Sequence, residues 1–169
     1  MARRNRKQGT INLIYRFDTD GFENRKSRLK IEINSREHFT VFGYQKNLLK
    51  VNSRWFSGEA NILTYSIEEL LGTKMRALYQ RRKSRDLFDL WMGLKVCKAE
   101  PKQIVKSFQV YMEHQKVHVS RKEFLENFSL KMQNNNFIED MQALLTEGVN
   151  YNLREAADLV IDQLIERIK

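Results

Sequence analysis

The run Ser66-Ile-Glu-Glu-Leu-Leu-Gly-Thr-Lys-Met-Arg-Ala-Leu-Tyr-Gln-Arg-Arg-Lys-Ser-Arg-Asp-Leu-Phe-Asp-Leu90 marks the change from strand to helix in this chain. Ser66 followed three residues later by Glu69 is the pattern of a capping box, with the hydroxyl and the carboxylate each satisfying a backbone N–H at the helix start. The pattern predicts a helix from 66 to about 83. Ser84 is placed to cap a second helix through about residue 96, carrying Leu87, Phe88, Leu90 and Trp91. Within the run Lys74, Arg81 and Arg85 are seven and four residues apart, and Asp86 and Asp89 three apart. Such spacings share a helix face. A compact set of cations beside two carboxylates suits a phosphorylated partner, because lysine and arginine bind phosphate oxygens directly.

Before the run the pattern is different. Residues 10–17 alternate Ile11, Leu13, Tyr15 and Phe17 on one face, and Leu29, Ile31 and Ile33 alternate with Lys30, Glu32 and Asn34. Period-two alternation of β-branched and aromatic residues predicts strands, with further short strands at 39–42 and 60–65. Asp18-Thr-Asp-Gly21 reads as a hairpin turn, Gly21 supplying the positive φ. After the run, helices are expected at 102–115, 121–133, 138–146 and 153–168, the last with Ala156, Leu159, Val160, Leu164 and Ile168 along one stripe. The plan is α+β: a strand-rich part over residues 1–65 with a small mixed or antiparallel sheet, and a helical bundle over 66–169.

A chain of 169 residues with 41% hydrophobic and 30% charged side chains is globular and long enough for a real core. No apolar run approaches the roughly 18 residues of a membrane span. The charged start Met1-Ala-Arg-Arg-Asn-Arg-Lys7 has no apolar segment behind it, which does not fit a signal peptide. The single Cys97 excludes an internal disulfide and a cysteine-paired zinc site. A cytoplasmic protein is the simple expectation. The net charge of +9 is uneven: residues 1–50 hold twelve lysines and arginines against five acids, whereas residues 101–150 hold six of each. A basic half points to a polyanion such as a nucleic acid or a nucleotide phosphate; the plainer reading is solubility.

Lys74 has Leu70, Leu71, Ala77 and Leu78 one turn away on either side. A lysine centred in an apolar stripe either snorkels or meets an anion at the floor of a cleft, because its desolvation is costly without a partner. Asp86 falls in the first turn of the second helix, where a carboxylate favours the dipole. Arg85 and Asp89 are spaced as an i,i+4 pair worth a few tenths of a kcal/mol. Glu32 lies mid-strand, on the wet face or as a metal ligand. Asp18 and Asp20 sit in a turn and are set aside as a metal pair. His114 and His118, four apart and without an acid nearby, are weak evidence for zinc, and His38 adds nothing to them. Cys97 reads as a buried hydrophobe. Trp55-Phe56 reads as core packing rather than a platform for a base.

Together these residues resemble a family. Leu29-Lys-Ile-Glu-Ile-Asn34, then Ser66-Ile-Glu-Glu-Leu-Leu71, then Lys74 with Ala77, Leu78, Arg81, Lys83, Arg85, Asp86, Asp89 and Leu90 at their spacings, look like the nucleotidyltransferase-like toxins of the AbiEii/AbiGii abortive-infection type. The blocks span about residues 28–91; the last is fairly specific and the Lys-Ile-Glu block less so. The resemblance implies a polymerase-β-like nucleotidyltransferase fold that moves a nucleotide from a nucleoside triphosphate to an acceptor such as tRNA. It implies Mg²⁺ held by carboxylates, which neutralises phosphate charge. By the same resemblance Glu32 takes the place of a metal-binding acid, Lys74 and Asp86 are the active-site pair, and Asp89 is the supporting acid; Arg81 and Arg85, from their charge and shared face with Lys74, are the expected phosphate contacts. A cognate antitoxin is the implied protein partner.

The chain departs from the family at one point. The opening Gly-Ser turn and Asp-x-Asp strand have no counterpart before residue 28. One carboxylate does not make a two-metal site, so nucleotidyl transfer by this polypeptide alone is expected to be weak or absent. A sheet edge left open by the missing block is expected to recruit another chain, an antitoxin or a second copy. The alternative is a non-enzymatic module that holds nucleic acid, or an antitoxin, with its basic N-terminal half.

Overall fold

The computed structural model describes residues 2–7, 9–18, 26–34, 37–141, 144–145 and 148–169, the first six in backbone only. They form two compact units, Met1–Phe39 and Thr40–Lys169. The first unit is a three-stranded antiparallel sheet of β1 (Ala2–Lys7), β2 (Thr10–Asp18) and β3 (Lys26–Asn34), with β2 in the middle. Ile11 faces Ile33, Leu13 faces Ile31 and Tyr15 faces Leu29, so the two predicted alternating runs place their apolar residues on one face as cross-strand pairs. β1 was not expected: Ala-Arg-Arg-Asn-Arg-Lys has no alternation, and its strand conformation comes from pairing with β2 through the turn at Gly9, whose φ of 76° suits only glycine readily. Residues 19–21 of the expected hairpin turn lie outside the described residues.

The second unit opens with an antiparallel hairpin, β4 (Gln45–Asn52) and β5 (Ser57–Thr64). It continues as α1 (Ile67–Gln80), α2 (Arg85–Lys95), α3 (Pro101–His114), α4 (Arg121–Met132), α5 (Asn135–Glu139) and α6 (Leu153–Gln163), closed by a 3-10 turn at Ile165–Arg167. The α+β plan holds, and among the described residues both sheets are antiparallel. The strand-to-helix change at 65–66 falls inside the second unit, whereas the units part after Phe39. No described helix is long and apolar enough to cross a membrane.

α1 is the spine of the second unit, packed on α2 and α3. Leu71, Met75 and Leu78 on its inner face are buried with Leu87 and Leu90 of α2 and Phe108 of α3. α3 approaches so closely at Gly72 that a Cβ there would lie 2.5 Å from Ser107 Oγ and 3.0 Å from the Ile104 carbonyl. Phe124, Phe128 and Val160 bring α4 and α6 into the same core. Three of the later helices have their own start signals. Asn152 accepts from the N–H groups of Arg154 and Glu155, Ser120 and Glu123 form a complete capping box, and Pro101 opens α3. The expected helix at 138–146 is instead the short α5, begun by Asn134; of its expected span, residues 142–143 and 146 lie outside the described residues. The expected helix at 153–168 tightens into the 3-10 turn after Gln163.

One side chain overrides two local expectations. Glu69 is fully buried, and its carboxylate accepts from Thr40 Oγ1 at 2.8 Å, Val41 N at 2.9 Å, Phe42 N at 3.0 Å and Tyr111 Oη at 2.8 Å. Only half of the predicted capping box forms: the Glu69 N–H donates to Ser66 Oγ at 3.2 Å, but the carboxylate is spent on these distant donors. Residues 39–42 are accordingly not a strand, because the Val41 and Phe42 N–H groups have taken a carboxylate instead of a neighbouring strand. Trp55 and Phe56 correct a third expectation. They lie at the hairpin tip, 79% and 63% exposed rather than in the core, with the Arg54 guanidinium 3.9 Å from the Trp55 ring centroid. Cys97, just past α2, is exposed as well.

Glu69→Ala removes the acceptor shared by four donors and is expected to cost about 3 kcal/mol or more. The parent and variant denaturant midpoints measure it; an unchanged midpoint contradicts the anchoring role.

Candidate phosphate-binding site at the junction of α1 and α2

α1 ends at Gln80, three residues earlier than the pattern suggests, because Arg81 turns extended with φ −129° and ψ 167°. The last carbonyls of the helix find an unusual partner. Lys131 of α4, 5% exposed, donates to the Leu78 carbonyl and, at 2.6 Å, to that of Tyr79. A cation at a helix C-terminus is favoured by the dipole and satisfies orphan acceptors. Burial, with Arg82 nearby, lowers the Lys131 pKa from 10.5 to about 8, while Asp86 acts in the opposite direction.

The extended turn brings Arg81 onto Asp86 in the first turn of α2. Arg81 Nε and Nη2 each lie 2.6 Å from one oxygen of a carboxylate with no exposure at all. This bidentate pair raises the Arg81 pKa above its ordinary value, the hydrogen bond to Asp86 being the chief cause. Lys74 Nζ lies 4.0 Å from Asp86 Oδ1 and 2.7 Å from Asp89 Oδ2, and its side chain is 40% exposed. Four of the expected site residues, Lys74, Arg81, Asp86 and Asp89, therefore converge. Asp86 is the buried hub, Arg81 is committed to it, and Lys74 bridges toward Asp89 at the surface.

Arg85 stays outside this set. The expected Arg85–Asp89 pair is not formed, because Asp89 has taken Lys74. The Arg85 side chain is exposed, and its backbone N–H and charge instead help Lys83 hold the Asp140 carboxyl below the usual range, the Lys83 hydrogen bond contributing most. Ser84 occupies the cap position of α2, yet its hydroxyl makes no capping bond and is buried without a partner. Sequence reasoning missed Lys131, although a signal existed. Lys131 follows Phe124 and Phe128 at helical spacing on the buried face of α4, the same apolar setting that singled out Lys74.

Chemically, the cluster is two cations balanced by two carboxylates. Asp86 is withdrawn from water and fully engaged, so it orients cations rather than reacting. Lys74 is the reachable group: its pair with half-exposed Asp89 is worth no more than about 1 kcal/mol, which an incoming phosphate oxygen can replace.

A family model described as nucleotidyl transferase AbiEii toxin, type IV toxin–antitoxin system, matches residues 2–161. The chain belongs to the AbiEii family. Neither the curated proteins nor the solved structures gave a match. The match extends well beyond residues 28–91 and takes in most of the helical tail. AbiEii membership supports a toxin-type nucleotidyltransferase-like function, and the toxin–antitoxin setting suggests a cognate antitoxin as partner.

Glu32, the family's expected metal-binding acid, lies on β3 in the first unit, exposed, with its Oε1 2.6 Å from Lys30 Nζ. Among the described residues no three histidine, cysteine or acidic side chains come together to hold a metal ion. A lone carboxylate already paired with a lysine does not fit a Mg²⁺ site.

The lowered Lys131 pKa gives a signed pH dependence. The unfolded chain keeps this proton up to about pH 10.5 and the folded chain only up to about pH 8. Between these values the unfolded state binds more protons, so the Lys131 contribution to stability rises with pH. The unfolding free energy of the parent, measured against Lys131→Met, is expected to climb from pH 8 to 10; a flat difference would contradict the buried cation.

Proposed function

We propose that this AbiEii chain is a toxin-type nucleotidyltransferase-like protein that receives the triphosphate of a nucleoside triphosphate at Lys74 and directs its nucleotide to an acceptor such as tRNA. The observation that carries the reading is the convergence of Lys74 and Arg81 on the buried Asp86, in the segment that bears the most specific family motif. Asp86 pre-orients both cations, so an arriving phosphate meets charges already in place, and preorganised charge costs little reorganisation on binding. Lys74, partly exposed, makes the phosphate contact; Arg81, half exposed and fixed by Asp86 through Nε and Nη2, adds a positive field from a set position. Glu32 alone does not hold two metal ions, so by this reading the 169-residue chain binds the triphosphate, and transfer of its nucleotidyl group to the acceptor with release of pyrophosphate is weak or absent.

Equilibrium titration with a fluorescent ATP or GTP analogue tests the reading. Lys74→Ala removes a charge-assisted contact worth about 1.5–3 kcal/mol, and affinity is expected to fall about tenfold to a hundredfold. Asp89→Asn frees Lys74 from its competing carboxylate and is expected to tighten binding by up to about fivefold. Unaltered affinity in Lys74→Ala, or weaker binding in Asp89→Asn, overturns it.

A further inference from the structure

A second group of cations lies elsewhere in the helical unit. Lys102 and Lys106 stand one turn apart on the outer face of α3, and Arg167 reaches the same place from the closing 3-10 turn. With Val105 and Gln109 they line a shallow depression of about 250 Å³. All three cations are exposed. Of the acids adjacent in sequence, Glu166 pairs with Arg121 at 2.9 Å, and Glu100 caps α3 by accepting from the Lys102 N–H without an ion pair to the Lys102 side chain. Among the described residues none of the three has a carboxylate within 4.0 Å, and Lys106 has only the face of Phe42, 5.7 Å from its ring centroid. This differs from the α1–α2 junction, where every carboxylate of the cluster is matched to a cation.

Three like charges held around one depression repel one another, and the repulsion is relieved by an anion. We infer that Lys102, Lys106 and Arg167 form a binding site for the phosphate backbone of a nucleic-acid strand. A strand suits the place better than a small anion. The depression is open and shallow, so a single phosphate would keep most of its water, and Lys102 and Lys106 follow each other along the helix as successive phosphates follow along a strand. Gln109 adds a neutral donor and acceptor at its edge. The site depends on the nucleotidyl-transfer reading only for the purpose of the strand, which is to be the acceptor; its binding is measured independently.

The test uses the 169-residue chain and a fluorescein-labelled oligouridine, an oligothymidine of equal length, and inorganic phosphate as separate probes, titrated from about 50 mM to about 200 mM salt. For the combined Lys102→Ala, Lys106→Ala, Arg167→Ala variant, the slope of log affinity against log salt is expected to shrink by about 2, at about 0.7 per lost contact with a single strand. Affinity near 0.1 M salt should fall about a hundredfold. Lys102→Arg with Lys106→Arg should retain it, since both charges remain. The matched control is Arg16→Ala, Arg28→Ala and Lys30→Ala, which removes three cations from the first unit; it should lose clearly less. RNA bound more tightly than DNA, or both bound alike, supports a strand site and says which sugar it accepts. The inference is overturned if the α3 variant keeps the parental affinity and slope, if the control loses as much, or if inorganic phosphate displaces the strand at equal affinity. Lys74→Ala separates the two readings: it should leave strand affinity intact while weakening the nucleotide, and the α3 variant should do the reverse.

Discussion

A carboxylate without access to water must be met by donors or it destabilises the fold. Asp86 is in that position, and the guanidinium of Arg81, bound through two nitrogens at 2.6 Å, meets the need. The rest of the junction follows from this pair. For Arg81 to reach Asp86, the chain must leave α1 at Gln80 and turn extended, and α2 must begin close by. With the turn set, Lys74 one side of the gap and Asp89 on the other fall within 2.7 Å. The pair therefore ties the end of α1 to the start of α2, in addition to the apolar contacts that those helices share.

α1 is held in the same manner at both ends. Near its start, Glu69 gathers the loop at 40–42 and Tyr111 of α3. At its finish, Lys131 takes the Leu78 and Tyr79 carbonyls. Between the two anchors α1 packs on α2 and α3, and α3 comes so close that Gly72 has no room for a Cβ. A hydrophobic face alone lets a helix slide or rotate at small cost. Buried charges with directional partners at each end do not, because a shift leaves donors or acceptors unpaired at a cost of about 1–3 kcal/mol each. The position of Lys74, in the middle of this helix, is therefore fixed from both sides.

What was legible in the sequence divides along the range of the forces involved. α1 to α4 could be read because their apolar residues recur at helical spacing and their starts carry serine, proline or acidic signals. β2 and β3 could be read because they alternate. β4 could not: Leu48 and Leu49 are adjacent, and the remaining residues are mostly Lys, Asn and Gln, so only pairing with β5 makes it a strand. The site residues Lys74, Asp86 and Asp89 were found by position, but their partners were not. Local spacing assigned Glu69 to its own helix start and Asp89 to Arg85. The fold gave Glu69 to residues 40–42 and 111, and Asp89 to Lys74. An i,i+4 pair at a surface is worth a few tenths of a kcal/mol, less than a buried carboxylate gains from several donors, so the tertiary partner wins wherever it can reach.

The same reasoning decides where a chain of net charge +9 can take up an anion. The densest basic run, 74–85, invites the answer by count alone. Yet much of its charge is already used: Arg81 on Asp86, Lys74 on Asp89 and Lys83 on Asp140. Residues 101–150 hold equal numbers of cations and acids, and they supply two of the three unmatched charges in the α3 depression, Lys102 and Lys106, with Arg167 as the third. Local electrostatic potential depends on which charges are neutralised within a few ångströms, since interactions fall off with distance and are screened by salt beyond about 10 Å. A sum over sequence segments takes no account of that. A neutralised arginine such as Arg81 preorganises a site, a surface-paired lysine such as Lys74 can exchange its half-exposed carboxylate for a phosphate, and an unmatched lysine attracts an anion with no carboxylate to displace.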